Sequence, residues 1–307
     1  MTLFSGAGVA LITPFHQDKS VNYEMLGRLI DRQIEGGTDA LIICGTTGEP
    51  ATMSEEERLS VIRYAVERTG GRIPVIAGTG GNSTEHAATF SKKAKELGVD
   101  GLLVVTPYYN KATQNGLIEH YRMIASAVDL PIIMYNVPSR TGCNLLPETV
   151  LRIADECPNV VGIKEASGNI SQVAKLAALC GNRLAIYSGN DDQIVPILSL
   201  GGKGVISVLS NVVPDVVHQI VDSYLNGDIL TAQKLQLQYL SLANALFTEV
   251  NPIPVKAAMQ MIGYDAGGLR LPLTELEEAH RAPLMRALRE AGLTIVGDSI
   301  RATLRIR

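Results

Sequence analysis

Val160-Val161-Gly162-Ile163-Lys164-Glu165-Ala166 reads as a short apolar strand that runs into a lysine. A lysine is seldom fully buried. Burial disfavours its charged form and lowers its pKa, which makes the amine a usable nucleophile near neutral pH. The ordinary alternative is a structural lysine paired with a carboxylate. Glu165 is a poor partner for such a pair, because adjacent strand residues point to opposite faces.

Working outward, the same kind of strand recurs along most of the chain. Short apolar runs lie at residues 9–13, 40–44, 74–77, 102–106, 132–136, 160–164, 185–188 and 204–208. Between them the apolar period changes to that of helices. Residues 23–36 carry Leu26, Leu29, Ile30 and Ile34 on one stripe, and residues 85–97 form another such segment. Residues 55–69 follow Ser54 with Glu57 three positions on, the signature of a capping box. Gly36-Gly37, Gly70-Gly71, Gly98 and Gly181 stand where helices end. Repeated strand–helix units imply a parallel sheet covered by helices. Eight of them fit a closed TIM (β/α)8 barrel better than an open, doubly wound sheet. The open sheet finds its best support in Gly78-Thr79-Gly80-Gly81-Asn82, after a strand and before a helix. That stretch fails G-x-G-x-x-G, because Ser83 stands at the last position.

The strands stop near residue 225. Residues 228–247, 255–262 and 275–291 then read as helices, the last with Leu276, Ala279, Ala287, Leu288 and Ala291 among polar neighbours. The expected organisation is a catalytic barrel over residues 1–225 and a C-terminal helical domain over 226–295, which suits packing or assembly. The tail 296–307 is expected to be disordered or an appended remnant.

Composition narrows the function. The chain has 307 residues, 46% hydrophobic and 19% charged, with a net charge of −4. No dense Lys/Arg block appears, which argues against nucleic acid. No apolar stretch is long enough to span a bilayer. The N-terminus lacks the pattern of a signal peptide. Cys44, Cys143, Cys157 and Cys180 form no C-x-x-C pair and no cluster with the five scattered histidines. Free thiols, no metal site and a cytoplasmic location are therefore expected.

A barrel builds its active site at the C-terminal ends of its strands. Those positions hold Gly45-Thr46-Thr47-Gly48-Glu49-Pro50, Thr106-Pro107-Tyr108-Tyr109-Asn110, Tyr135-Asn136-Val137-Pro138-Ser139-Arg140-Thr141-Gly142, Lys164-Glu165 and Ser188-Gly189-Asn190-Asp191-Asp192. Each has a plainer explanation. Thr46-Thr47-Gly48 could be a hydrogen-bonded turn, Tyr109 and Tyr135 core aromatics, Arg140 half of a surface ion pair, and Glu49 a helix-start acid. Their convergence at one mouth weighs against that. A lysine amine with tyrosine and threonine hydroxyls suits Schiff-base chemistry on a ketone or keto acid, and an arginine offers a planar fork for a carboxylate.

These motifs, together with Asn251-Pro252-Ile253-Pro254-Val255-Lys256, resemble the dihydrodipicolinate synthase family, in order and at fitting intervals, from about residue 3 to about residue 295. The resemblance implies condensation of pyruvate with aspartate-4-semialdehyde, toward diaminopimelate and lysine, without a cofactor. It makes Lys164 the Schiff-base residue and Tyr135 the proton donor and acceptor. Thr46 and Tyr109 complete a relay, Tyr109 reaching in from an adjacent subunit. Thr47 holds the pyruvate carboxylate, Arg140 the semialdehyde carboxylate, and the main-chain carbonyls of Gly189 and Ile206 line the pocket. A homotetramer, built as a dimer of dimers, is implied. N-acetylneuraminate lyases and keto-deoxy-sugar-acid aldolases share the lysine and are the alternative, with Arg140 in Pro138-Ser139-Arg140-Thr141-Gly142 pointing to the synthase. A non-catalytic keto-acid sensor predicts a broken relay, whereas all four relay positions are filled.

Many relatives implied by the resemblance bind lysine as an effector. Asn82 and Tyr108 match that site, but His86 stands where a glutamate is expected, and Glu55 and Arg58 where histidines are expected. An imidazole cannot replace a carboxylate opposite an ammonium group, so weak or absent lysine inhibition is expected, with Glu85 a partial substitute.

Overall fold

The computed structural model describes residues 2–296. Eight parallel strands close into a barrel in sequence order: β1 Gly6–Ala10, β2 Ala40–Ile43, β3 Val75–Gly78, β4 Gly101–Val105, β5 Ile132–Asn136, β6 Val160–Glu165, β7 Ala185–Ser188 and β8 Gly204–Ser207. The first strand lies three residues earlier than hydropathy suggests. Gly6, Ala7 and Gly8 pair with β8 and β2, while Leu11 beyond the strand still donates its N–H to the Ile42 carbonyl. Small residues are required at this seam. Gly204 has φ +155°, and a Cβ there would sit 1.8 Å from the Gly6 carbonyl oxygen.

Strand alternation divides the core in two. Leu41, Ile43, Val104, Met134, Ile163 and Ile186 point outward and pack under the helices. Ile42, Leu103, Ile133, Tyr135, Tyr187 and Ile206 point into the barrel. Phe4 plugs the lower end, stacked 4.4 Å from the Tyr187 ring, and its carbonyl accepts the Tyr187 hydroxyl at 2.6 Å. This buried stacking and satisfied hydroxyl keep the lower interior filled.

The helices Tyr23–Glu35, Glu55–Thr69, Thr84–Glu96, Gln114–Ala127, Pro147–Glu156, Ile170–Cys180, Ile194–Ser199 and Pro214–Leu225 follow the strands in turn. The capping box at Ser54 and Glu57 forms in both directions. After residue 225 the run expected as one helix over 228–247 is divided at Tyr239 into Ile229–Gln238 and Leu240–Ala245. Ile253–Met261 and Glu278–Glu290 complete the set. Leu242, Leu246, Val255, Met259, Leu284 and Leu288 from these helices join the outer hydrophobic layer of the barrel. Of the tail expected over 296–307, only Val296 falls within the described residues, and its N–H bonds the Met261 carbonyl at 2.8 Å. No helix among the described residues is long and apolar enough to cross a membrane.

Candidate active site

Register explains how Lys164 enters the barrel. Tyr135, Lys164 and Tyr187 are direct partners across β5, β6 and β7. Side chains at one level of a sheet share a face, and both tyrosines belong to the interior. Lys164 therefore points inward and is only 5% exposed. Its Nζ lies 4.4 Å from the centre of the Tyr135 ring. Gly189, just past β7, makes room for it: a Cβ there would lie 3.1 Å from Lys164 Cε and 2.6 Å from Ala166 Cβ. Glu165 faces the other way, accepting from Asn136 Nδ2 at 3.0 Å and the Ser167 N–H at 2.7 Å.

Burial pulls the Lys164 amine from 10.5 down to about 7, against the opposing pull of Asp191 and with help from Arg140. At neutral pH about half of it is then the neutral nucleophile, against roughly one part in three thousand for an exposed lysine. Among the described residues no carboxylate lies within 4.0 Å of this amine, so it makes no contact ion pair. The negative charge it senses is Asp191, which is 3% exposed. Asp191 accepts from Ser207 Oγ at 2.5 Å and from the N–H groups of Val208 and Leu209 at 3.0 and 2.9 Å. Burial nevertheless holds its carboxyl above the usual range. Sequence reading gave Asp191 no role, since only burial separates it from the exposed Asp192.

Asp191 supports the protonated amine. Asp191→Asn is expected to retain the acceptor for Val208 and Leu209 and lose the charge. The pH at which the Lys164 amine titrates, read from pH-dependent chemical modification, should then fall by about one unit or more. A titration that stays in place would show that Asp191 and Lys164 are uncoupled.

Tyr135 is 6% exposed. Burial raises the pKa of its hydroxyl, while Arg140 and a hydrogen bond with the Thr46 side chain lower it. Thr46 and Thr47 lie in a one-turn helix, Thr46–Gly48, directly after β2. Thr47 is 2% exposed and accepts from Asn251 Nδ2 at 2.9 Å. Arg140 sits in the short helix Pro138–Thr141 after β5, with Nη2 donating to the Asn251 carbonyl at 3.3 Å. The Asn251 stretch thus ties a threonine hydroxyl to the arginine, a link that sequence spacing does not reveal.

A cavity of about 490 Å³ opens at this end of the barrel, bordered by Thr46, Tyr135, Arg140 and Asn251. Lys164 is not among the residues that border it, but its amine lies against the ring of Tyr135, which is. Ile206 is fully buried in the interior layer. Tyr109 stands apart from the cavity wall. It is 90% exposed and holds a left-handed φ of +72°. The cavity continues outward past Asn82, His86, Tyr108 and Arg58. There His86 Nδ1 lies 3.8 Å from Glu55 Oε2, and Glu55 is also paired with Lys93. Arg58 stacks 3.9 Å over the Phe90 ring and donates to the Gly78 carbonyl at 3.0 Å.

Glu49 stands at the start of the one-turn helix Pro50–Thr52, as the plainer reading has it. Its side chain is closed off and pairs with Lys256 at 2.6 Å. Among the described residues one group has metal-ligand spacing: Glu249, Glu277 and His280, with ligand atoms within 4.8 Å of one another. It lies among the C-terminal helices, and its polar atoms bond within the group, His280 Nδ1 to Glu249 Oε1 at 2.6 Å.

Comparisons with known proteins give the family of this chain. The dihydrodipicolinate synthetase family model matches residues 3–291. This chain belongs to that family. The 4-hydroxy-tetrahydrodipicolinate synthase of Caldicellulosiruptor bescii is 60% identical over 295 residues, covering 96% of this chain and 99% of that protein. Dihydrodipicolinate synthase from Aquifex aeolicus superposes with a TM-score of 0.93 at 44% identity, covering 96% of this chain and 100% of its own. The enzyme from Cyanidioschyzon merolae, solved with lysine bound, gives 0.93 at 41% identity, covering 95% and 100%. The similarity to this family extends over nearly the whole chain.

Proposed function

We propose that this chain is a lyase that condenses pyruvate with L-aspartate-4-semialdehyde, the 4-hydroxy-tetrahydrodipicolinate synthase reaction of diaminopimelate and lysine biosynthesis. The observation that carries the assignment of roles is the buried Lys164 amine, 5% exposed and set against the ring of Tyr135, which borders the cavity with Thr46. The neutral amine adds to the keto carbon of pyruvate. The carbinolamine loses water, leaving an iminium near the Asp191 carboxylate. Tyr135, which borders the cavity with Thr46, moves the protons of dehydration and then takes one from the methyl carbon. The resulting enamine attacks the aldehyde carbon of the second substrate. That substrate's own amine then closes the ring and releases Lys164.

Thr47 serves the pyruvate carboxylate. It already accepts from Asn251, which leaves its own hydrogen to donate. Arg140 serves the semialdehyde's carboxylate, and the Gly189 and Ile206 carbonyls line the lower pocket. A homotetramer supports Tyr109, whose exposed ring suits it to complete the site of a neighbouring subunit. A cytoplasmic location fits four buried free thiols. Borohydride reduction with pyruvate, followed by peptide mass mapping, tests the assignment: the adduct belongs on Lys164, and its absence there refutes the mechanism.

Asn82, Tyr108 and His86 form the outer part of the cavity as an effector site for lysine. Here Glu55, beside His86, is paired with Lys93, and His86 and Arg58 bring imidazole and guanidinium groups. An ammonium is poorly served by that set. Initial rates measured with millimolar lysine are expected to stay close to the uninhibited rate. Strong inhibition would contradict this reading of the outer site.

A further inference from the structure

The turn that carries Thr46 and Thr47 is held from far away in the chain. Residues 45–53 contain two one-turn helices, Thr46–Gly48 and Pro50–Thr52, and Glu49 forms the joint between them. Glu49 has φ +55°, a left-handed conformation unfavourable for a residue with a side chain. That conformation sends its carboxylate inward, away from solvent.

The partner is Lys256, 207 positions later, on the helix Ile253–Met261. The two side chains are 0% and 1% exposed and meet at 2.6 Å. Lys256 also donates to the Gly268 carbonyl at 3.0 Å and lies 4.2 Å from the centre of the Phe15 ring. Arg270 covers the same ring at 4.4 Å, donates to the Thr52 carbonyl at 2.9 Å and binds Glu57. On the other side of the turn, Asn251 Nδ2 reaches Thr47. The C-terminal segment therefore grips the turn at its start, its joint and its end.

A buried ion pair is weak evidence for stability, because its desolvation offsets most of the attraction and apolar replacements are often neutral. Its other use is to fix geometry. Here what it fixes is the backbone directly after the two threonines, one of which borders the same cavity as Tyr135.

We propose that the Glu49–Lys256 pair is a positioning device for the Thr46–Thr47 turn, through which the C-terminal helices set the geometry of proton transfer at the barrel mouth. Neither residue reacts with substrate. The pair acts on the hydroxyls through the strained joint at Glu49. The inference rests on the pyruvate-condensing reading above, and it adds residues that determine turnover.

The test compares the unaltered protein with Glu49→Asp and with the double variant Glu49→Gln/Lys256→Met. Glu49→Asp keeps the charge and shortens the arm by one methylene. The double variant removes both charges together, so no buried charge is left alone. Three quantities are read: the melting temperature, the pyruvate adduct trapped by borohydride, and exchange of the pyruvate methyl protons in D₂O, which adds the methyl proton transfer to the capture that the trapping reports. Both variants should trap pyruvate on Lys164 with an affinity within about threefold of the original. Methyl exchange and kcat should fall at least tenfold, and in the double variant they should fall even where the melting temperature is retained. If the double variant does not fold, Glu49→Asp decides alone. Should the variants exchange and turn over as fast as the unaltered protein, or lose trapping and exchange only in step with the folded fraction, the positioning role is overturned. If the unaltered protein traps no pyruvate, the functional reading fails first and this one with it.

Discussion

Lys164→Met abolishes pyruvate capture. No adduct should be found on residues 160–166 after borohydride treatment, and kcat should drop on the order of 10⁴-fold or more, as expected when an attacking nucleophile is removed. Methionine is chosen because it matches the lysine stem in length and is at home in an apolar layer. The side chain is 5% exposed and packed between the Tyr135 ring and Gly189. Removing an amine whose charged form is opposed by burial should leave the melting temperature unchanged or higher. Lost activity can then be separated from lost folding. The same burial sets the sign of the pH dependence in the unaltered protein. In the proposed mechanism the reacting species is the neutral amine, which burial brings down to about 7, so kcat/KM for pyruvate should fall as pH drops through 7 and level off above it. A variant that still captures pyruvate, or an acid limb near the ordinary lysine value of 10.5, would contradict the assignment.

Tyr135→Phe separates capture from turnover. The ring lies 4.4 Å from the Lys164 amine, and phenylalanine preserves that packing. Only the hydroxyl is lost, together with its bond to Thr46. The expected result is a trappable adduct, formed more slowly, with kcat reduced by about 10²- to 10⁴-fold. Pyruvate methyl exchange should fall in parallel. Exchange at the original rate would mean that another group carries the proton. Because Tyr135 is raised by burial yet lowered by Arg140 and Thr46, its hydroxyl stays protonated at neutral pH and can give a proton before it takes one.

What could be read from the sequence follows from which physical signals are local. Strand–helix alternation and the capping box at Ser54 are local patterns, and the barrel and that helix appear as expected. The first strand was displaced because Gly6 and Gly8 carry no hydropathy signal, although the seam with Gly204 requires residues without side chains. Strand ends identified the barrel mouth, so Thr46, Thr47, Tyr135, Arg140 and Lys164 could be named together. Asp191 could not be distinguished from Asp192, because burial depends on how β7 meets the turn after β8. Glu49 and Lys256 each appeared within quoted motifs, yet their pairing spans 207 positions and leaves no periodic trace. Tyr109 is legible as a residue type, but its left-handed backbone is a property of the folded loop.

The register of β5, β6 and β7 has an evolutionary consequence. Tyr135, Lys164 and Tyr187 form one rung of a rigid sheet, so the amine and the tyrosine proposed to serve it keep a fixed spacing. Arg140, Tyr108 and Tyr109 sit on connections beyond the strands, where insertion and exchange are tolerated. A barrel wired this way can keep its donor chemistry and trade its acceptor, and new aldehyde specificities can arise by rewriting a few loop positions above an unchanged floor.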